Sequence, residues 1–222
     1  MMAPMSSPSP KFELFTQFAE IAKALGSPHR LVILELLAQR ERSVDDLASA
    51  ARLSVANASQ HLRLMRKVGL LVSRRNGTQI LYRVSDPAVL DLVTGLHRVG
   101  ERNLAEVREI VGGYFRQRDA LEPVSREELA QRMRDGLVTV LDVRPEDEFD
   151  AGHLPQAIKA PLRELEKHLR DLPKDREVVA YCRGPYCVFA FEAVALLREH
   201  GFTARRLEDG FPEWKAAGMP IA

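Results

Sequence analysis

The most constraining feature of the chain is a strand-like apolar run that ends at a cysteine and turns into a helix-like run. Valines and an alanine lead to Tyr181 and Cys182. Gly184 and Pro185 then separate this cysteine from Val188. The order predicts a thiol at a strand-to-helix turn, where backbone N–H groups and the positive helix end hold an anion and lower a thiol pKa. Cys182 is therefore the predicted nucleophile, and a pair of buried structural cysteines is the alternative.

The rest of the C-terminal half alternates between strand-like and helical patterns. Strands are predicted over 138–143, 178–181 and 203–207. Helices are predicted over 125–133, 162–169 and 188–200. Strand and helix in turn predict an α/β domain, with a parallel sheet flanked by helices and the reactive loop at a strand's C-terminal end.

The N-terminal half shows helical spacing followed by a hairpin pattern. Apolar residues recur at helical intervals from Phe12, and helix starts are predicted after Ser27, Ser43 and Ser54. Alternation over 70–84 around an Asn-Gly turn predicts two antiparallel strands. This order predicts a mainly α winged helix-turn-helix with a β-hairpin wing.

An amphipathic pattern continues from Asp86 without a proline, which predicts a helix of about thirty residues that packs against a partner copy. The predicted organisation has four parts. They are a flexible arm at 1–10, a DNA-binding and dimerisation domain at 11–115, a linker at 116–123 and an α/β domain at 124–222.

Charge and cysteine content narrow the function classes. Residues 1–117 carry 16 Lys and Arg against 11 Asp and Glu, whereas residues 118–222 carry 16 against 20. The basic half therefore favours a polyanionic partner. Two cysteines five residues apart are no secreted disulfide framework, and no signal-peptide core or membrane-spanning run is visible. A cytoplasmic protein with no membrane partner is expected.

Small and polar side chains that reach base edges are predicted on the second helix of the helix-turn-helix: Ser54, Ala56, Asn57, Ser59, Gln60 and His61. Cations for phosphates follow: Arg63, Arg66, Lys67, Arg74 and Arg75. The segment 53–71 resembles the recognition helix of the ArsR-type bacterial repressors, and the resemblance covers about residues 11–115. It implies a helix in the major groove of double-stranded operator DNA, a wing at the minor groove and a homodimer formed by the terminal helices. A winged helix used for protein contact is the alternative.

Many members of that family sense metals, which requires clusters of Cys, His or carboxylate ligands. The N-terminal half has no cysteine, and His97 and Glu101 supply only two ligands. No metal site and no cofactor are therefore predicted.

Three ordered motifs of residues 122–222 resemble a single rhodanese domain. They lie at 141–157, at 181–184 and at 210–220. The resemblance implies that Cys182 takes sulfane sulfur from a small donor and becomes a persulfide. The backbone amides of the following loop would cradle this persulfide: Arg183, Gly184, Pro185, Tyr186, Cys187 and Val188. Asp142 and Arg144 are expected to support the loop by an ion pair, whereas His153 and Trp214 are expected to be scaffold.

Cys187 leaves two readings open. It is either a thiol that resolves the Cys182 persulfide, provided that the two Cα atoms lie within about 4.4–6.8 Å, or a residue packed inward. Val188 stands where a related phosphatase loop has an arginine, so phosphatase activity is disfavoured.

The preferred hypothesis is a DNA-binding repressor whose rhodanese domain senses or transfers sulfane sulfur through a Cys182 persulfide. The main alternative is an enzyme of the thiosulfate or persulfide sulfurtransferase type, which the DNA-binding half regulates. A less favoured alternative is a repressor that responds to arsenic bridged by Cys182 and Cys187.

Overall fold

The structure, a computed structural model, describes residues 9–116 and 123–222. The chain divides into two units, Met1–Val93 and Thr94–Ala222. Most of the expected linker, residues 117–122, and residues 1–8 of the expected arm lie outside the described residues.

The first unit consists of helices followed by an antiparallel hairpin. Its elements are α1 (Pro10–Leu25), α2 (Pro28–Gln39), β1 (Arg42–Ser43), α3 (Val44–Ala50), α4 (Val55–Lys67), β2 (Leu71–Asn76) and β3 (Gln79–Val84). The strands pair in the order β1-β3-β2, so β3 is the central strand. This is the predicted winged helix-turn-helix, with β2 and β3 as the wing.

Serine caps determine where two of these helices start. The Ser43 side chain accepts a hydrogen bond from the Asp46 backbone N–H at 3.2 Å, and α3 begins at the next residue. The Ser54 side chain does the same for the Asn57 N–H, and α4 follows. Each cap satisfies one of the backbone donors that a helix N-terminus leaves unpaired. Both predicted helix starts are confirmed.

The core of the first unit is formed by the inner faces of α2, α3 and α4. Its fully buried members include Ile33, Leu34, Leu47, Leu62 and Met65. The helix-turn-helix angle is fixed by this packing, because the apolar stripe of α4 faces inward and its polar face stays in water.

The expected continuous helix after Asp86 is wrong. Helix α5 (Ala88–Asn103) stops before Leu104, whose φ of −102° and ψ of 119° are extended, and α6 (Ala105–Ile110) and a π-helical turn (Val111–Arg116) follow. The Asn103 side-chain amide donates to the Val99 carbonyl at 2.9 Å. An asparagine side chain that bonds to nearby backbone competes with the helix, and the helix ends at this asparagine.

The α/β domain of the second unit contains a four-stranded parallel sheet. Its elements are α7 (Arg126–Arg134), β4 (Val138–Asp142), α8 (Glu146–Phe149), β5 (Ile158–Lys159), a 3-10 turn (Leu162–Glu164), α9 (Leu165–His168), β6 (Glu177–Tyr181), α10 (Val188–Glu199), β7 (Ala204–Arg206) and α11 (Phe211–Ala216). The strand order is β5-β4-β6-β7. The predicted α/β class is confirmed, whereas the two-residue strands β1 and β5 and the short helices α8 and α11 were not predicted.

The register of the sheet brings two chain segments to one edge. Asp142, the last residue of β4, pairs with Tyr181, the last residue of β6. Because parallel strands end on the same side of a sheet, the residues after Asp142 and after Tyr181 become neighbours. The cysteine loop therefore lies beside the segment that contains Arg144 and α8.

Gly210, just before α11, closes the back of this loop. A Cβ atom at Gly210 would lie 2.3 Å from the Gly184 backbone N and 2.4 Å from the Arg183 carbonyl carbon. The next residue, Phe211, donates its backbone N–H to the Cys182 carbonyl at 3.0 Å. The glycine is required here by close approach of two backbones, since no side chain fits between them.

Gly210→Ala is expected to destabilise the second unit by about 2–3 kcal/mol, because the loop backbone must move to admit the methyl group. Urea unfolding followed by the fluorescence of Trp214, the single tryptophan of the chain, measures this. Gly95→Ala in α5 is the matched control, since a Cβ there meets no atom within 4 Å. Equal unfolding midpoints for the two variants would contradict the close approach.

Candidate DNA interface and thiol site

The residues predicted to read bases lie on or just before α4. Ser54, Ala56, Asn57 and Gln60 are exposed, and Ser59 and His61 are half-buried. The predicted phosphate contacts Arg63 and Arg66 are exposed on the same helix. One limit appears at Ser54, whose side-chain oxygen is already an acceptor in the helix cap.

His61 is half-buried, and it has the one titratable side chain among the residues predicted to read bases. Its ring lies 6.0 Å from the ring of His29, centroid to centroid. Burial, followed by the charges of Arg30 and His29, lowers the pKa of His61 below its usual value. Both causes favour the neutral form of the His61 imidazole.

The wing arginines have partners inside the first unit. The Arg74 guanidinium binds the Glu41 carboxylate with an Nη2–Oε2 distance of 2.6 Å, and Arg83 lies 3.7 Å from the same carboxylate. Arg75 donates from Nε to the Gly77 carbonyl at 3.1 Å. A DNA phosphate at the predicted wing contact would have to compete with Glu41 for Arg74.

The cysteine loop joins β6 to α10. Cys182 and Cys187 form a disulfide, and their Cα atoms are 6.1 Å apart. Both cysteines are buried, and Cys187 is the N-cap residue of α10. The Cys187 backbone N–H donates to the Gly184 carbonyl at 3.1 Å, which removes it from the set of amides that were predicted to face an anion.

A buried ion pair lies at the end of β4. The Arg144 Nη2 atom is 2.6 Å from Asp142 Oδ2, and neither side chain is exposed. Arg144 also donates to the Gly152 carbonyl at 2.8 Å, and the Tyr181 hydroxyl donates to Asp142 at 2.5 Å. Burial opposes the charge on Arg144, but hydrogen bonds to Asp142 and its charge raise the Arg144 pKa above its usual value. The hydrogen bond from Tyr181 to Asp142 connects the ends of β6 and β4 one residue before Cys182.

A second buried carboxylate binds an arginine of the cysteine loop. Glu148, in α8, is fully buried and binds the Arg183 guanidinium through both oxygens. The Nη2–Oε1 distance is 2.6 Å, and the Nε–Oε2 distance is 2.9 Å. Such a two-point pair fixes the plane of a guanidinium. Arg183 is therefore held by the protein and does not extend freely into solvent.

Tyr186 links the loop to α5 within the second unit. Its hydroxyl hydrogen-bonds to the Glu101 carboxylate, and its ring packs edge-on against His97 with centroids 5.1 Å apart. Burial, and then the hydrogen bond and charge of Glu101, raise the pKa of Tyr186 above its usual value. Burial lowers the pKa of His97. His97 and Glu101, which the sequence offered as only two possible metal ligands, contact Tyr186 of the loop.

His153 and Trp214, the two motif residues predicted to be scaffold, contact neighbouring parts of the chain. The His153 ring stacks on Phe149 at 3.7 Å, and the Trp214 indole N–H donates to the Pro220 carbonyl at 2.7 Å. Within residues 9–116 and 123–222, no three His, Cys, Asp or Glu side chains are grouped to hold a metal. No described helix is long and apolar enough to cross a membrane.

Two structural classes are thus combined in one chain. The first unit is a winged helix-turn-helix, and a cysteine loop at the edge of a parallel sheet makes the other a rhodanese-like domain. The family model for bacterial regulatory proteins of the arsR family matches residues 27–73, and the model for rhodanese-like domains matches residues 125–217.

Relatives match each half and the whole. The HTH-type transcriptional regulator Rv0324 of Mycobacterium tuberculosis is 40% identical over 211 residues, which cover 95% of this chain and 92% of that protein. The chain therefore belongs to the ArsR-type transcriptional regulators that carry a C-terminal rhodanese domain. A sulfurtransferase of Allochromatium vinosum is 32% identical over 100 residues, or 44% of this chain and 92% of that protein. The homodimeric winged helix-turn-helix domain of Mb0332 from Mycobacterium bovis is 35% identical, covers 47% of this chain and 95% of that domain, and superposes with a TM-score of 0.42.

Sequence reasoning missed Glu41, Glu148 and Gly210. Glu148 and Arg183 are 35 positions apart, and Glu41 and Arg74 are 33 apart, so no local pattern pairs them. A usable signal existed for Glu148 and Gly210, which lie in the first and third rhodanese-like motifs, and none existed for Glu41.

Glu41→Gln is expected to strengthen DNA binding about three- to tenfold at low salt, because it frees Arg74 and removes a negative charge that contacts the wing. The slope of log affinity against log salt should steepen by about one, as expected for one more phosphate contact. Fluorescence anisotropy with the DNA upstream of the gene measures both quantities.

Glu20→Gln is the control, since Glu20 is an exposed carboxylate paired with Lys23 on α1. Adding Arg74→Ala to Glu41→Gln should abolish the gain. If the gain persists in that double variant, Arg74 is not the group that Glu41 withholds.

Proposed function

We propose that the protein is a dimeric transcriptional repressor that releases its operator when sulfane sulfur reacts at Cys182. One observation carries the proposal. Two cysteines share a loop at the sheet edge, within disulfide distance, in a chain that also presents an exposed recognition helix. Such a pair records a sulfur donor as a change of covalent state.

The chemistry begins with the reduced loop. The Cys182 thiolate attacks the terminal sulfur of a hydropersulfide, the S–S bond of the donor breaks, and the donor leaves as a thiolate with the electron pair. Cys182 then carries a persulfide. The Cys187 thiolate attacks the Cys182 Sγ and expels HS⁻, which leaves the intraloop disulfide. The sulfane sulfur is the oxidant, because it leaves reduced as sulfide.

Exposed apolar side chains support assembly into a homodimer. On α1, Phe12, Phe15 and Phe18 are more than half exposed, and on α5 Leu92 and Leu96 are exposed. Apolar groups of this size are normally covered in solution, and a second copy covers them with the same helices. A two-fold dimer would present two α4 helices to two half-sites of double-stranded DNA.

The contact of Tyr186 supports a route from the loop to the DNA-binding half. Tyr186 precedes Cys187, and its partners His97 and Glu101 lie near the end of α5. The same helix begins at Ala88, within the first unit. A loop that changes covalent state would alter the Tyr186 contacts, and α5 would carry the change.

A sulfurtransferase is the second candidate. The relative from Allochromatium vinosum carries that name and matches the C-terminal half. Steady turnover with thiosulfate and cyanide, unaffected by operator DNA, would favour it over the repressor.

Treatment of the reduced protein with polysulfide is expected to weaken binding to its upstream DNA at least about tenfold, a coupling of ordinary allosteric size. Cys182→Ser should bind DNA normally and not respond. Cys187→Ser should accumulate the Cys182 persulfide without forming a disulfide, which mass spectrometry distinguishes. Should native protein and Cys182→Ser respond alike, or should neither respond, the sensing role is wrong.

Tyr186→Phe tests the route through α5. The persulfidation rate of Cys182 should stay within about twofold, while the effect of polysulfide on DNA affinity should shrink by at least about fivefold, because a hydrogen bond to a charged partner is lost. Anisotropy and mass spectrometry on the same samples give both values. An undiminished effect on DNA affinity would exclude the Tyr186 contact from the coupling.

A further inference from the structure

Two ion pairs lie beside the cysteine loop. Asp142 pairs with Arg144, and Glu148 pairs with Arg183. The charge of Glu148 also contributes to the raised pKa of Arg144, so the two pairs interact. Two carboxylates and two guanidiniums thus surround the segment that carries Cys182, and their formal charges cancel.

Arg183 is the loop's own cation, and it would attract an anionic donor if its charge were unopposed. Its side chain is 18% exposed, whereas that of Glu148 is 0% exposed. At separations of a few ångströms a paired charge acts as a dipole, whose field falls off faster than that of a single charge. The buried carboxylate therefore removes most of the long-range attraction that Arg183 would exert.

A further carboxylate lies near the turn of the loop. The Glu213 Oε1 atom would be 3.7 Å from a Cβ atom placed at Gly184, and its Oε2 atom accepts the Gly210 backbone N–H at 3.0 Å. Its negative charge opposes the approach of a second anion to the loop. The repulsion energy between Glu213 and an incoming donor is about twice as large for a donor with two negative charges as for a donor with one.

We propose that Glu148 is a specificity-determining residue that selects hydropersulfide donors of at most one negative charge over dianionic thiosulfate by neutralising Arg183. The inference rests on the proposed function, since it concerns the donor of the same Cys182 reaction. In both reactions the Cys182 thiolate takes the outer sulfur of the donor. The donor S–S bond breaks, and sulfite leaves from thiosulfate or a thiolate leaves from a hydropersulfide.

The test compares two donors on one thiol. The full-length reduced chain with Cys187→Ser stops at the persulfide, so each donor gives one product. Second-order rate constants for persulfidation are measured by mass spectrometry with thiosulfate and with 2-hydroxyethyl hydropersulfide. Adding Glu148→Gln is expected to raise the ratio of the thiosulfate rate to the hydropersulfide rate at least about tenfold, because the negative charge that binds Arg183 is removed and a dianion gains more from this than a donor of lower charge.

The control removes both charges of the Glu148–Arg183 pair, so the net charge stays that of the starting chain although the ion pair is lost. Glu148→Gln with Arg183→Gln removes one negative and one positive charge, so its ratio should return to within about threefold of the starting chain. A ratio that Glu148→Gln leaves unchanged, or two rates that fall together, would overturn the inference and leave the proposed function standing. Absence of a persulfide with either donor would overturn both.

A measurement without a change at Glu148 covers the case in which that variant does not fold. In the Cys187→Ser chain, the rate with thiosulfate should rise as salt is added, since no net positive charge of the loop offsets the repulsion between the Cys182 thiolate and the dianion. A rate that falls with added salt would reveal a net positive loop and overturn the inference.

Discussion

Buried charge joins the ends of β4 and β6, and the cysteine loop depends on it. Asp142 and Arg144 are both inaccessible to water, and the Tyr181 hydroxyl and the Gly152 carbonyl complete their hydrogen bonds. Removing one partner from such a pair typically costs about 3–5 kcal/mol, because the other charge is left buried and unpaired. The hydrogen bond from the Tyr181 hydroxyl to Asp142 attaches the end of β6 to this pair. Cys182, one residue beyond Tyr181, inherits this fixed position.

The same arrangement determines what can stabilise a sulfur anion in the loop. Glu148 binds Arg183, so the cation next to Cys182 in the sequence would offer a persulfide there little net positive charge. Backbone N–H groups and the start of α10 are left to supply the positive field. A site of this kind stabilises a small anion at short range but attracts distant anions weakly.

Local chemistry in the sequence was enough to predict the classes of both domains. Ser43 and Ser54 predict helix starts because an N-cap needs only a side-chain hydroxyl that accepts a hydrogen bond from a backbone N–H three residues later. The pairs Glu41–Arg74 and Glu148–Arg183 could not be predicted, because each forms only after distant segments have folded together. The helix break at Leu104 could not be predicted from the apolar pattern, because the helical spacing of apolar residues continues across it. Two-residue strands carry no alternation to detect.

A sensor needs a group whose contacts differ between two covalent states of the loop. Tyr186 meets this requirement by position. In the disulfide form it lies inside the closed ring between Cys182 and Cys187, so the bond to the adjacent Cys187 restricts its backbone. Reduction opens the ring and leaves Tyr186 held by Glu101 and His97 and by its chain neighbours. A change in the balance between these two constraints is how the proposed sensor would act on α5.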